Sequence, residues 1–267
     1  MSRLPVWTAV IPTYGEVGVG LTTRCLESLR HSTERHEIVV VDDGSGGKVQ
    51  EKLAALCQQH SAQFVACSDN RGFASACNEG IKVSNGAIVV LVNNDVVAIN
   101  KTIDDLANFT LFSGASTAGC KLLYEDYTVQ HAGVCYIPNK PHGYWDHVGR
   151  FTGRWEAPNC RIRKSLCSGA VFAISRNTLN TVGLLDERYG MSHEEIDLQM
   201  KCLEAGMSIF YCGIIEAFHL EGKTRGRTPG EKRKHKKWLQ AEVDAGNAFF
   251  ERWRGVEFEQ FQIGRLA

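Results

Sequence analysis

Three polar turns in the first half of the chain carry residue types that can do chemistry. Each follows a short apolar run, and the turns read Pro12-Thr13-Tyr14, Asp42-Asp43-Gly44-Ser45 and Asn93-Asn94-Asp95. A carboxylate in such a position can accept a hydrogen bond from a ribose hydroxyl or a base N–H, and it can hold a hard divalent cation through oxygen. One such turn alone is better explained as a turn that caps the next helix. Three of them together favour a ligand site.

The pattern around these turns predicts alternating strands and helices. Valine- and isoleucine-rich runs occupy residues 7–11, 37–41 and 87–92, and apolar residues at helical spacing follow the first two. This alternation is typical of βαβ units and a mainly parallel sheet, in which ligands bind beyond the carboxyl ends of the strands. We therefore expect the three turns to meet at one edge of the sheet.

The second half of the chain is less regular. Apolar segments at 117–123, 129–137, 166–174 and 208–212 predict strands separated by longer loops. The segment 138–163, rich in Gly, Trp, His and Arg, is long enough to be a functional loop. Helices are expected around residues 196–203 and over 229–253. No repeat or low-complexity linker divides the chain, so we expect one continuous domain.

The composition excludes several classes of protein. The 267 residues contain 30 Lys plus Arg and 30 Asp plus Glu, and 43% are hydrophobic. These values argue against a disordered chain, a coiled coil and a strongly basic nucleic-acid binder. The longest apolar run, 87–92, is far shorter than the roughly 18 residues of a membrane span. The ten cysteines form no CxxC pair and no secretory signal precedes them, so we expect buried, reduced thiols and a cytoplasmic protein.

Several well-known phosphate-binding and nucleophile motifs are missing. The sequence has no Gly-x-Gly-x-x-Gly after the first strand, no Walker motif and no Gly-x-Ser-x-Gly elbow. What remains is an α/β nucleotide-binding fold that uses carboxylates and a metal.

The chain resembles glycosyltransferase family 2, the nucleotide-sugar transferases of GT-A fold, and especially its rhamnosyltransferase-like members. The matching segments occur in family order and are 10–14, 39–45, 70–80, 91–95, 130–133, 168–170, 183–187 and 193–198. The resemblance implies a Rossmann-like, mainly parallel sheet flanked by helices, with a variable acceptor-side second half. Within a single domain over 1–267, it implies a donor-binding half at 1–112, an acceptor and catalytic half at 113–228 and a C-terminal helical segment at 229–267.

The resemblance also implies where the donor sugar nucleotide lies. The residues it assigns to the donor are Pro12, Thr13, Tyr14, Asp42, Asp43, Asn70, Gly72, Asn78, Asn93, Asn94, Lys223 and Arg225. Gly72 opens a predicted helix, and helix N-termini favour phosphate. The basic segment 222–227 is expected to close over the donor as a phosphate clamp.

For the metal, the resemblance implies Mn²⁺ or Mg²⁺ bound by Asp95 and His219. Asn93 replaces the first acid of the family's Asp-x-Asp motif, so only one carboxylate is present. Such a cation neutralises the pyrophosphate of the leaving group. A lone histidine such as His219 is otherwise more often a structural residue.

The acidic segment Glu194-Glu195-Ile196-Asp197 occupies the place of the family's catalytic motif. An inverting transfer needs a base that deprotonates the acceptor hydroxyl. Glu195 is the first candidate, Asp197 the second, and Glu194 lies beside them. The alternative is that these acids only complement a helix N-terminus.

Acceptor-side candidates are Trp145, His147, Trp155, Ser168 and Gly169, with His142 in the same loop. Aromatic rings there can stack on sugars or bases, and filling the core is an equal alternative. The basic run 232–237 is either a solvated helix face or a site for donor phosphate, an anionic membrane or a nucleic acid.

Together these features predict a metal-dependent inverting hexosyl- or deoxyhexosyltransferase. Its expected partners are a nucleotide-diphosphate sugar and a glycan or lipid-linked precursor of a surface polysaccharide. A hydroxylated base in DNA is an alternative acceptor. A non-catalytic nucleotide- or glycan-binding module is an alternative of another class, which Asn93 and Glu195 permit. The sequence leaves the sugar, the nucleotide and the oligomeric state open.

Overall fold

A mixed sheet forms the centre of the molecule in the computed structural model, which describes residues 6–33, 36–136, 145–190, 192–221 and 236–257. Within those ranges, ten strands share this sheet, and β8 and β9 pair separately. The strands are β1 (Trp7–Thr13), β2 (His36–Asp42), β3 (Gln63–Ala66), β4 (Ile88–Val92), β5 (Val96–Ala98), β6 (Thr117–Leu123), β7 (Val129–His131), β8 (Val134–Tyr136), β9 (Trp145–His147), β10 (Ile162–Arg163), β11 (Val171–Ser175) and β12 (Ile209–His219).

The first half of the chain builds the parallel part of the sheet. Strand β1 lies between β2 and β4, and β3 pairs with β2, all in parallel. The predicted strands at 7–11, 37–41 and 87–92 are confirmed as β1, β2 and β4. Every residue of β1 and β4 is buried because helices cover both faces, which explains their uninterrupted apolar sequence.

Helices pack on both faces of this sheet. They are α1 (Gly15–Leu29), α2 (Gly47–Gln59), α3 (Phe73–Val83), α4 (Thr102–Ser113), α5 (Arg176–Val182), α6 (Glu194–Glu204) and α7 (Lys236–Arg252). Helices α1, α2 and α4 contribute to one hydrophobic cluster, and α3, α5 and α6 contribute to the cluster on the opposite face. This arrangement is the predicted α/β fold.

The second half adds antiparallel strands. Strand β11 lies antiparallel between β4 and β6, and β12 runs parallel to β6. The predicted strand at 129–137 is interrupted between β7 and β8 because Gly133 has a φ of 102°. The strand predicted at 208–212 is longer than expected: it continues to His219 as β12, with a register shift between Cys212 and Glu216.

A third cluster joins the C-terminal helix to the body. Phe249 of α7 and Trp253, which directly follows this helix, share a cluster with Tyr189 and Met200. The predicted terminal helix is confirmed from Lys236 onward, and its expected first residues lie outside the described ranges. No described helix is long and apolar enough to cross a membrane. All ten cysteines are free, and eight are buried, as expected.

Candidate active site

The three polar turns meet at the carboxyl ends of β1, β2 and β4. Thr13 is the register partner of Asp42 in the β1–β2 pair. The backbone N–H of Asp43 donates to the Thr13 carbonyl at 2.9 Å, and the Asn94 amide donates to Thr13 Oγ1 at 3.0 Å. Thr13 thus connects the turns after β2 and β4, while Tyr14 beside it is 42% exposed. The expected edge site therefore exists as a set of connected turns.

The two aspartates of the second turn point into the protein. Asp42 is fully buried and accepts hydrogen bonds from the Ser45 N–H and the Gln50 amide, both at 2.9 Å. Asp43 accepts from the backbone N–H groups of Arg71 and Gly72, both at 2.9 Å. Burial raises the pKa of the Asp43 carboxyl, although these two donors act against the shift. The hydrogen bonds of Asp42 thus stabilise its own turn, and those of Asp43 stabilise the segment that begins α3.

The segment that precedes α3 is fixed from two sides. Gly72 has a φ of 96°, and a Cβ there would lie 2.7 Å from the Gly190 carbonyl oxygen. That carbonyl accepts from the Ala74 N–H at 3.1 Å. Since Gly72 donates to Asp43, two N–H groups at this helix start are occupied by protein acceptors. Asn70 beside them is exposed.

Asn78, which the resemblance assigns to the donor, is buried and uses its side-chain amide to bind other parts of the chain. Its side chain is 2% exposed and exchanges hydrogen bonds with the backbone of Leu185 at 2.9 and 3.1 Å. Its amide also donates to the Glu187 carboxylate at 3.0 Å. These contacts use the amide of Asn78 to tie α3 to the loop before α6.

Asp95 and His219 lie side by side, as the metal assignment requires. His219 Nε2 is 3.1 Å from Asp95 Oδ1, and His219 Nδ1 is 2.7 Å from Gln130 Oε1. The Gln130 amide donates to the His219 carbonyl at 3.3 Å and to Glu221 at 3.2 Å. Those two bonds orient the side-chain oxygen of Gln130 toward His219 Nδ1. This oxygen favours the tautomer of His219 with its proton on Nδ1, which leaves Nε2 available as a metal ligand.

Asn93, two residues before Asp95, has a side-chain oxygen that could serve as a further ligand. Its N–H donates to the Ala170 carbonyl at 2.9 Å, while its buried Oδ1 has no hydrogen-bond partner among the described residues. An unpaired buried amide oxygen is costly unless a ligand completes it. Carboxylate, amide oxygen and imidazole are suitable donors for Mn²⁺. Within the described ranges, no group of three His, Cys, Asp or Glu side chains could hold a metal by itself.

Glu195 lies beside the turn 168–170, whose Ala170 carbonyl accepts from Asn93. A Cβ built at Gly169 would be 3.2 Å from Glu195 Cβ and 3.3 Å from its Cγ, so glycine provides the room for this side chain. Gln199 joins the two segments: it accepts from the Cys167 N–H at 2.7 Å and donates to the carbonyls of Cys167 and Glu195 at 2.8 and 3.0 Å. Residues 168–170 thus connect Asn93 on one side with Glu195 on the other.

Asp197 is fully buried and cannot meet an acceptor, which removes the second candidate base. The carboxylate accepts from the Tyr189 hydroxyl at 3.0 Å and the Trp253 indole at 2.9 Å. Lys201 and Arg252 complete its surroundings at 3.0 and 2.9 Å. It therefore fastens α6 to α7. Glu194, 4% exposed, is likewise withdrawn from solvent.

The acceptor-side candidates divide into packed and exposed residues. Trp145 packs edge-on against Phe249 at 6.2 Å. His147 lies 4.8 Å from His131, ring to ring, and burial lowers its pKa. Trp155 is 71% exposed. Trp145 and His147 therefore pack within the protein, which was the alternative to contacting an acceptor. Trp155 remains available to a ligand.

Ser168 is fixed in place through its backbone N–H group. Its N–H donates to Nε2 of the buried His131 at 3.3 Å. The remaining assigned residues, Lys223 and Arg225, lie outside the described part of the chain, as do His142 and the first four residues of the basic run.

Gln130 and Gln199 were not assigned from the sequence. Gln199 is a glutamine among the apolar residues of α6, and a polar residue on a buried helix face is the signal that identifies it. Gln130 precedes His131 in a matching segment, but nothing local connects it to His219.

Comparison with known proteins gives the family and relatives of similar sequence and fold. The family model described as Glycosyl transferase family 2 matches residues 8–177. An uncharacterized protein, y4gI, of Sinorhizobium fredii is 28% identical over 97% of this chain and 28% of its own length. The O-antigen biosynthesis protein RfbC of Myxococcus xanthus is 23% identical over 66% of this chain and 14% of its own length. This chain therefore spans less than a third of either relative.

Among solved structures, the crystal structure of GalNAc-T7 with UDP, GalNAc and Mn²⁺ is similar in fold. It has a TM-score of 0.64 and 18% sequence identity, and the match covers 89% of this chain and 48% of the other.

Proposed function

We propose that this chain, which belongs to glycosyl transferase family 2, transfers a sugar from a nucleotide-diphosphate sugar to an acceptor hydroxyl with inversion at the anomeric carbon. One observation carries the proposal. Asn93, two residues before Asp95 of the Asp95–His219 pair, and Glu195 both contact the same short turn, 168–170, at the carboxyl ends of the strands. This juxtaposition suits a reaction in which a diphosphate leaves on one side and a hydroxyl attacks on the other.

The donor lies against the turns after β1 and β2. Tyr14 is exposed there and Thr13 connects the turns, so the nucleoside has both an apolar surface and hydrogen-bonding groups. Asp42 and Asp43 act mainly by holding these turns. The GalNAc-T7 structure contains UDP, which supports a uridine nucleotide as the first donor to test.

Asp95 and His219 would hold Mn²⁺ or Mg²⁺, and Asn93 Oδ1 would be available as an additional oxygen ligand. When bound, the cation offsets the charge of the diphosphate and stabilises the departing nucleoside diphosphate. Gln130 keeps His219 in the tautomer and orientation that this role needs. Because Asn93 replaces a carboxylate, the site has less negative charge than one with two acids.

Glu195 is the base. It takes the proton from the acceptor hydroxyl as that oxygen bonds to the anomeric carbon, and the bond from that carbon to the diphosphate breaks. Gln199 fixes the helix turn that carries Glu195 relative to residues 168–170. Asp197 serves this step indirectly, since it anchors α6.

The acceptor is a glycan or a lipid-linked precursor of a surface polysaccharide. The name of the Myxococcus relative, an O-antigen biosynthesis protein, supports this class. A non-catalytic nucleotide-binding module is the second candidate, because Asn93 removes one of the two expected acids.

The test is release of nucleoside diphosphate from a panel of nucleotide-diphosphate sugars, with and without Mn²⁺. We expect metal-dependent release with one donor, and we expect Asp95→Ala and Glu195→Gln to abolish it. Glu204→Gln, an exposed glutamate on the same helix, is the matched control and should keep the wild-type rate. If the wild-type protein binds a donor but never releases nucleoside diphosphate, the non-catalytic module is the better description.

A further inference from the structure

Three aromatic rings are exposed together beside the candidate active site. Tyr127 is 53% exposed, Phe151 70% and Trp155 71%. Exposed rings gathered in one region, rimmed by polar groups, mark a surface that binds something. We call these three rings the aromatic platform.

An arginine and a tyrosine hold the aromatic platform in place. The Tyr124 ring stacks on Phe151 at 5.3 Å with an interplanar angle of 7°. The Arg154 guanidinium lies 4.4 Å from the Trp155 ring and 5.3 Å from the Tyr127 ring, so it contacts both. Cation–π contacts of this kind fix the rings and reduce the entropy lost when a ligand stacks on them.

The aromatic platform adjoins the metal-binding pair. Tyr124, which stacks on Phe151, reaches His219 through a chain of hydrogen bonds: Glu221 accepts from the Gln130 amide at 3.2 Å, and Gln130 Oε1 lies 2.7 Å from His219 Nδ1. The Tyr124 hydroxyl donates to Glu221 at 3.0 Å. The aromatic platform is therefore connected to the Asp95–His219 pair through Tyr124, Glu221 and Gln130.

The cations around the aromatic platform are already paired with carboxylates. Arg150 contacts Glu221 at 2.8 Å, while Arg154 and the buried Lys121 both contact Glu216. Exposed Glu125 and Asp126 add negative charge nearby. This surface is therefore not basic, whereas binding of a polyanion such as DNA depends on unpaired Lys and Arg.

We propose that the aromatic platform binds uncharged sugar units of the acceptor glycan, next to the unit that receives the new sugar. This inference rests on the proposed function and deepens it by naming the substrate class. The C–H groups of a sugar ring carry partial positive charge and pack against the negative face of an aromatic ring. The paired Arg and Glu groups at the rim can exchange hydrogen bonds with the sugar hydroxyls.

The experiment is isothermal titration of the full chain with neutral hexasaccharides of glucose, mannose, galactose and N-acetylglucosamine, and with a 20-nucleotide oligothymidylate. We expect at least one hexasaccharide to bind with little salt dependence. Trp155→Ala and Phe151→Ala should each weaken that binding about tenfold. The matched control is Phe112→Ala, which removes an 82%-exposed ring on α4 and should leave binding within about twofold of wild type.

Three results would overturn the inference: no hexasaccharide binds the wild-type protein, the alanine variants bind as well as wild type, or the platform variants instead lose a salt-sensitive binding of oligothymidylate. Donor binding is measured in parallel with UDP-sugars and Mn²⁺. If Trp155→Ala binds donor normally, a failure of glycan binding concerns the aromatic platform alone. If the wild-type protein binds no donor, the proposed function itself has failed.

Discussion

Replacing Gly169 with alanine should slow sugar transfer without harming donor binding. The added Cβ would lie 3.2, 3.3 and 3.5 Å from Cβ, Cγ and Cδ of Glu195. Carbon atoms prefer separations of about 3.5–4.0 Å, so Glu195 must move by several tenths of an ångström. A misplacement of about 1 Å at a reacting group can cost about 100-fold in rate, and we therefore expect kcat to fall about 10- to 100-fold.

The assay combines steady-state release of nucleoside diphosphate with donor titration and thermal unfolding. Donor Kd should be unchanged, and the overpacking should cost about 1 kcal/mol of stability. Gly20→Ala is the matched control, since nothing lies within 4 Å of a Cβ at that helical position; its activity should equal wild type. A Gly169→Ala enzyme with the wild-type kcat would refute the placement of Glu195 at the reacting hydroxyl.

Three further predictions address the groups that support the site. Gln130→Leu should weaken Mn²⁺ binding about 10- to 100-fold, because His219 loses the acceptor that orients it; titration of activity with Mn²⁺ measures this, and an unchanged metal dependence would contradict it. Asp197→Ala should destabilise the protein by about 3–5 kcal/mol in urea unfolding, because it leaves buried donors and cations unpaired, and a loss below 1 kcal/mol would argue against its anchoring role. Burial lowers the pKa of His131 and His147, so below about pH 6.5 the unfolded chain binds more protons than the native one. The free energy of unfolding is therefore highest above that pH and decreases as the pH falls, by up to about 1.4 kcal/mol per pH unit for each histidine. The urea midpoint at pH 5.5 should lie below that at pH 7.5, and an equal or higher midpoint would contradict this reasoning.

The parallel half of the fold could be predicted because its signals are local. Strands β1, β2 and β4 are buried on both faces, so each appears in the sequence as a continuous apolar run that ends in a polar turn. Parallel strands place their carboxyl ends at one edge, which is why three separate turns could be expected to meet.

The roles of individual acidic residues depended on contacts that the sequence does not reveal locally. Glu195 and Asp197 are two residues apart on a helix, so they point to nearly opposite sides. Asp197 faces the end of α7 and the adjoining Trp253, which lies 56 positions later in the chain. Similarly, the amide of Asn78 is taken by Leu185, 107 positions away. Motif order identified these residues as important but could not tell a base from an anchor.

The most direct test of a donor and metal site at Asp95 and His219 is thermal unfolding with a panel of nucleotide-diphosphate sugars, each with and without Mn²⁺. A ligand that binds the native state raises Tm, by an increment that corresponds to about 2.7 kcal/mol at 100 times its Kd. We predict a metal-dependent rise with one donor for the wild-type protein, and no such rise for Asp95→Ala. A well-folded wild-type protein whose Tm responds to no donor, or an Asp95→Ala variant that responds as wild type does, would contradict the account.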